Sequence, residues 1–166
     1  RFVDEFRLDP HGYQSAAVIY ELPEIPSEEA FEELLWKRLQ GIADLDSLHH
    51  GYDSRVDSDP VSPHFSFSIK GEACFIIGLH PASARAARQF SHPVLVFNPH
   101  AQFVKLRDED KYEQMKEVIR KRDLAYSGSY NPMLRDFGEA SEVLQYSGSE
   151  HNDEWVCPLK INHEPD

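Results

Sequence analysis

The stretch Phe65-Ser66-Phe67-Ser68-Ile69-Lys70-Gly71-Glu72-Ala73-Cys74-Phe75-Ile76-Ile77 constrains this chain more than any other part of it. Phe65, Phe67 and Ile69 alternate with serines, the period of a strand with one apolar face, and an unbroken apolar run follows Lys70-Gly71-Glu72. A glycine in the connector admits the left-handed backbone of tight hairpins. The two runs are therefore expected to pair antiparallel, the first half-buried and the second buried on both faces. A hairpin this apolar cannot stand alone, so the rest of the chain has to cover it.

Helices are the expected cover. Pro26-Ser27-Glu28-Glu29 reads as a helix start, with Ser27 as cap and two acids at the positive end of the dipole, and Phe31, Leu34, Leu35, Leu39 and Ile42 follow as one buried stripe. Before it, Tyr13 to Glu21 reads as a strand closed by Leu22-Pro23. His49 to Pro63 has loop composition without periodicity. After the hairpin, Pro81 is expected to open a short helix carrying Arg85 and Arg88 on one face. Val94 to Phe97 is a further strand. Asn98 is expected to cap, and Pro99 to open, a helix through Phe103 and Leu106. A longer helix is expected from about Glu109 to Leu124, with Tyr112, Met115, Val118 and Ile119 inward, and the residues from Ser127 onward are expected to wrap the surface with short helical turns. The order gives an α+β fold, a small and mainly antiparallel sheet packed with helices, as a single domain over residues 1–166.

Composition narrows the function classes. A net charge of −12 disfavours a general nucleic-acid binder, which needs surplus Lys and Arg to neutralise phosphates. No apolar stretch reaches the ~18 residues of a membrane span, and no signal segment opens the chain, so a cytoplasmic protein is expected. The first residue is Arg1, and an N-terminal piece is expected to precede it. Cys74 and Cys157 lie too far apart in sequence for a CxxC motif, and Cys74 reads as an inert core residue.

Phosphate loops, dinucleotide fingerprints, nucleophile elbows and HExxH motifs are all absent. His80 and His100 stand out instead. Each follows an apolar strand at a junction marked by proline, where an imidazole can face a cavity and ligate a metal. If their strands are neighbours, the two junctions are expected to point the same way. Arg85 and Arg88, one turn apart and close to His80, suit carboxylate or phosphate groups. Taken singly, a turn histidine and a solvated arginine face are the commoner readings of such residues. His49, His50 and His64 read as loop residues.

Five blocks carry a family resemblance: F-I-I-G-L-H-P-A-S-A-R-A-A-R-Q-F (75–90), L-V-F-N-P-H-A-Q-F-V-K-L-R (95–107), I-R-K-R-D (119–123), N-P-M-L-R-D-F-G-E-A-S-E (131–142) and Q-Y-S-G (145–148). In this order, with F-E-E-L-L-W-K-R-L-Q and S-P-H-F-S-F-S-I before them, they resemble the YqcI/YcgG family over nearly the whole chain. The resemblance implies a heme protein related to heme-dependent guanidino N-hydroxylases, which binds heme b, activates dioxygen and oxidises a small nitrogen-rich substrate such as the guanidino group of arginine. The family usually carries a preceding segment with a Phe-Pro-Cys motif, which this sequence does not contain.

On that resemblance His80 or His100 is the expected iron ligand, with His80 ranked first for its nearness to the arginines. Arg85 and Arg88 are expected to hold the propionates, and Glu139 or Glu142 to receive a guanidinium. An external electron donor, a reductase partner, is implied because nothing resembles a flavin or nicotinamide site. A homodimer is an open expectation. Two rivals stand beside this reading: a heme-binding or sensing module without catalysis, and a zinc or non-heme iron protein using His80, His100 and one carboxylate.

Overall fold

The computed structural model describes residues 1–10, 12–21, 23–136 and 138–162. Leu22, expected to close the first strand, and Phe137 of the fourth sequence block lie outside the described residues. The elements run α1 (Phe2–Leu8), β1 (Ala16–Ile19), α2 (Glu28–Asp46), β2 (Phe67–Ile69), β3 (Glu72–Leu79), β4 (Val94–Pro99), α3 (His100–Asp108), α4 (Tyr112–Ser127) and α5 (Val143–Tyr146). All strand pairs are antiparallel, in the order β1-β4-β3-β2. The fold is α+β, as the sequence implies.

The α2 stripe explains the main core. Ser27 Oγ accepts the Ala30 N–H at 3.2 Å and sets the helix start. Phe31, Leu34, Leu35 and Leu39 are buried against Cys74 and Ile76 of β3 and Leu95 and Phe97 of β4. The approach is closest at Gly78, where a Cβ would lie 2.5 Å from the Phe31 ring and 2.8 Å from the Tyr146 carbonyl oxygen. A side chain there would force helix and strand apart.

The β2–β3 turn is the tight one expected. Lys70 (φ 54°) and Gly71 (φ 67°) both adopt left-handed backbone, the geometry whose twist matches a hairpin. Lys70 is held there by three contacts: its N–H donates to Asp46 Oδ2 at 2.8 Å, Arg7 Nη2 donates to its carbonyl at 2.7 Å, and its Nζ pairs with Asp4 at 2.7 Å.

Several expectations change. The first hairpin strand is not half-buried: Ser66 and Ser68 are buried as fully as Phe65 and Phe67. The loop after α2 folds back over it, and the Asp53 N–H donates to Ser68 Oγ at 3.0 Å. β1 is shorter than Tyr13 to Glu21 and keeps Tyr13 exposed. No helix starts at Pro81. Ser83 Oγ accepts the Arg85 N–H at 3.3 Å, and Arg85 stays extended ahead of a 3-10 turn at Ala86–Arg88. Asn98 does not cap a helix. It lies within β4, donating from Nδ2 to the Phe75 carbonyl at 3.2 Å and accepting from Ser15 Oγ at 2.6 Å, so α3 begins one residue past Pro99.

α4 departs most. No residue of it is buried, and Val118, expected inward, is 42% exposed. The C-terminal segment does not merely wrap the surface either, because α5 drives Val143 and Tyr146 into the core.

Above the hairpin sits an ionic cluster in which the carboxylates of Asp53 and Glu72 are buried and the Arg55 side chain is exposed. Asp53 accepts from Ala73 N–H at 2.8 Å, Arg55 N–H at 2.9 Å and Arg55 Nε at 2.8 Å, while Arg55 Nη2 also reaches Glu72 Oε1 at 2.9 Å. Burial alone would raise the Asp53 pKa, but these donors and the Arg55 charge together hold it below its ordinary value. A depressed folded-state value contributes stability that is present above the unfolded pKa and is lost as pH falls through the folded one. Asp53→Asn is therefore expected to lower unfolding free energy at neutral pH by roughly 2–4 kcal/mol in urea titrations. The gap from wild type should narrow once pH drops below the ordinary carboxylate pKa of about 4. A gap that persists unchanged into acid would show that the Asp53 charge is not its source.

Candidate functional site

Strand alternation gives the sheet a second face. Cys74, Ile76 and Phe97 meet α2, so their neighbours Phe75, Ile77 and Asn98 point the other way. α3 and α4 lie across that second face without filling it, leaving a cavity of about 730 Å³, within the range of small-molecule sites. Phe75 and Ile77 form its floor, and Phe103, Met115, Ile119 and Leu134 line its apolar walls. Polar struts hold α4 off the sheet. Arg85 pairs with Asp123 of α4 and donates to the Ser129 carbonyl at 2.7 Å, and Lys116 pairs with Asp136 at 3.0 Å. These contacts fix the helix without burying it.

The cavity is cationic in an acidic chain. Arg85, Arg88, Arg107 and Lys116 line it together with Arg120, Arg122 and Arg135, against the acids Asp123, Asp136 and Glu142. Arg88 is enclosed, and its guanidinium is spent on backbone: Nη1 donates to the Gly78 carbonyl at 3.0 Å and the Tyr146 carbonyl at 3.4 Å, and Nη2 to the Gln145 carbonyl at 3.0 Å. Burial, assisted by the like charge of Arg85, lowers its pKa to about 10, so it stays charged at neutral pH. That charge projects a positive potential onto the cavity floor.

One imidazole faces the cavity among the described residues. His100 Nε2 lies 2.8 Å from Glu142 Oε2. The other Glu142 oxygen accepts from the Tyr146 hydroxyl, and that hydroxyl in turn accepts the Phe67 N–H at 3.2 Å. Burial, with the neighbouring Glu142 charge and hydrogen bond, raises the Tyr146 pKa well above its ordinary value, so Tyr146 is a proton donor to the carboxylate. A histidine anchored to a buried carboxylate through one nitrogen is the arrangement that orients a metal-ligating imidazole.

The structure brings together His100, Glu142, Arg85 and Arg88 of the residues singled out by sequence. It leaves out His80 and Glu139. β3 and β4 are neighbours, yet antiparallel, so their C-terminal ends lie at opposite ends of the sheet: Pro99 pairs with Cys74, and His100 therefore stands about 20 Å along β3 from His80. The two histidines do not point the same way and do not share a cavity. His80 is 1% exposed on the α2 side, stacked on Phe31 at 4.1 Å, with both ring nitrogens unpartnered among the described residues. Burial lowers its pKa despite the opposing charge of Glu28. Glu139 is exposed and accepts the Asp136 N–H at 3.0 Å, closing its own turn. Neither arginine is idle, since Arg85 pairs with an acid and Arg88 with carbonyls. Cys74 is buried as expected, its thiol pushed up to about 12 by burial. No group of three or more His, Cys, Asp or Glu among the described residues is arranged to hold a metal ion.

Sequence reasoning missed Tyr146, which locks Glu142 in place. The signal was present in the i, i+4 spacing of Glu142 and Tyr146. The lining cations of α4, Lys116, Arg120 and Arg122, were not singled out by sequence, where only the apolar stripe of that helix was read.

The family model of YqcI/YcgG matches residues 1–160. The Bacillus subtilis (strain 168) protein YcgG is 29% identical over 153 residues, which are 89% of this chain and 56% of that protein. The chain thus spans little more than half of this relative's length. No solved structure matches the chain. Among the described residues no helix is long and apolar enough to cross a membrane.

Arg88→Lys tests the floor of the site. An ammonium cannot reproduce a planar fork that serves three carbonyls, so the variant is expected to lose roughly 2 kcal/mol in chemical denaturation. Arg122→Lys, an exposed cavity-rim change, is expected to lose nothing measurable. Equal stability of Arg88→Lys and wild type would show that the three hydrogen bonds do not hold the floor.

Proposed function

This chain belongs to the YqcI/YcgG family, and from that premise we propose that its cavity is the heme and substrate chamber of a monooxygenase that N-hydroxylates a small nitrogen-rich compound. The observation that carries the reading is the cavity itself: apolar walls, a cationic lining, and a single described histidine backed by a buried carboxylate. Heme is a flat apolar ring with an anionic edge, so the residues present fit it.

In this reading His100 holds the iron, and Glu142 fixes the ring and strengthens it as a ligand. Heme b bound there supplies dioxygen activation. Arg120 and Arg122 of α4 are placed to meet the propionates or the carboxylate end of an amino-acid-like substrate, while Arg88, held by carbonyls, contributes only its field from the floor. Both oxygens of Glu142 are engaged, one by His100 and the other by the Tyr146 hydroxyl, so in this reading it serves the histidine rather than the substrate. The apolar floor of Phe75 and Ile77 keeps water away from the reacting nitrogen. Electrons come from an external donor, a reductase partner, since the described chain has no nucleotide-binding signature.

His100 is the one histidine of the lining among the described residues, which favours this over a storage module, since that would call for two imidazole ligands. A non-heme site built on His80, His100 and one carboxylate draws no support from histidines about 20 Å apart.

The test is an absorption spectrum of protein produced with heme supply. Wild type and His80→Ala are expected to show a Soret band, and His100→Ala to lose or shift it. Incubation of the loaded protein with arginine, reductant and dioxygen should then give an N-hydroxylated product by mass spectrometry. A folded wild type without a Soret band sinks the reading, and a band lost only in His80→Ala moves the ligand to the other side of the sheet.

A further inference from the structure

Behind the cavity wall, aromatic rings form an unbroken line to the surface. Tyr146 is fully buried, and its ring lies 5.9 Å from Phe75, which floors the cavity. On its other side Trp36 of α2 follows at 6.2 Å between centroids, and Trp155 at 5.8 Å from Trp36. Trp155 is only partly buried, between the exposed residues Glu154 and Val156. These are the only two tryptophans in the chain, and both stand in this line.

Packing alone does not account for Trp36. A buried indole N–H ordinarily finds an acceptor, but Nε1 of Trp36 has none among the described residues. An unpaired buried donor is destabilising, a cost that Phe at this position would avoid. What an indole offers and a phenyl ring does not is ready one-electron oxidation.

We propose that Tyr146, Trp36 and Trp155 form a relay that conducts oxidising equivalents from the cavity to the protein surface. The proposal rests on the heme reading, which places a strong oxidant in the cavity. The steps balance as follows. A one-electron oxidant of the heme-plus-peroxide class takes an electron from Tyr146 and is reduced by it, while the phenolic proton passes along the existing hydrogen bond to Glu142. Trp36 returns one electron to Tyr146, which takes its proton back from Glu142. Trp155 returns one electron to Trp36. A soluble thiolate or ascorbate at the surface returns one electron to Trp155 and is itself oxidised. Without a soluble reductant, Trp155 is left as the residue that reacts with oxygen or water. The relay therefore spares the cavity when oxidant forms without substrate present.

The experiment treats heme-loaded full chain with hydrogen peroxide in the absence of reductant, and follows both the Soret band and the oxygenated residues by peptide mass spectrometry. Wild type is expected to gain oxygen at Trp155. In Trp36→Phe that product should disappear, although hydroxyl radical generated in solvent still labels Trp155 as in wild type, and the Soret band should bleach several-fold faster. Trp155→Phe, a partly exposed position that does not threaten folding, should bleach faster as well and shift oxidation back to Trp36 and Tyr146. Equal Trp155 oxidation in wild type and Trp36→Phe, or a loaded wild type with no Trp155 oxidation, overturns the relay while leaving the heme reading intact. A wild type with no Soret band overturns both, since no oxidant then reaches Tyr146.

Discussion

The hydrogen bonds around Tyr146 are the constraint on which the rest of the molecule hangs. α5 has four residues, too short to be stable for its own sake. Yet its tyrosine joins both sides of the sheet. The hydroxyl accepts from the Phe67 N–H on β2 and donates to Glu142, the ring packs on Trp36 and Phe75, and the carbonyl accepts from Arg88. The core under α2 and the cavity over the other face are thus built on one side chain. Glu142 can be buried as an acceptor because Tyr146 and His100 both engage it.

Charge is distributed against the grain of the composition. A chain with net charge −12 places seven Lys and Arg around one cavity and leaves most acids elsewhere. Pairing each of those cations with an acid would have abolished the field. Instead Arg88 is solvated by carbonyl dipoles, which satisfy its donors and leave its charge. Such a field attracts anions.

The fold was legible where one local rule dominates. Ser27 and the α2 stripe, the Lys70-Gly71 turn and the apolar run of β3 each answer to a single requirement, capping, left-handed backbone or burial. It was not legible where tertiary contacts compete with local preference. Pro81 is a good helix starter, but Ser83 captures the Arg85 N–H; Pro99 does lead into α3, but Asn98, expected to cap it, is claimed by Phe75 and Ser15 from across the sheet. The site was half legible for a related reason. His80 and His100 look equivalent because both end a strand, and only the antiparallel pairing of those strands separates them. A burial pattern read along one chain says nothing about which of two faces a residue takes.

α4 shows why the second half of the site escaped. Tyr112, Met115, Val118 and Ile119 recur at helical spacing, which normally means a face in the core, yet no residue of α4 is buried. The periodicity is real, and its target is the cavity, which Tyr112, Met115 and Ile119 line without closing. A helix held by ion pairs at Asp123 and Lys116 over an apolar hollow gains little from packing until something occupies the hollow. If the proposed ligand binds there it completes the helix's burial, and its affinity and the order of α4 are then one linked equilibrium.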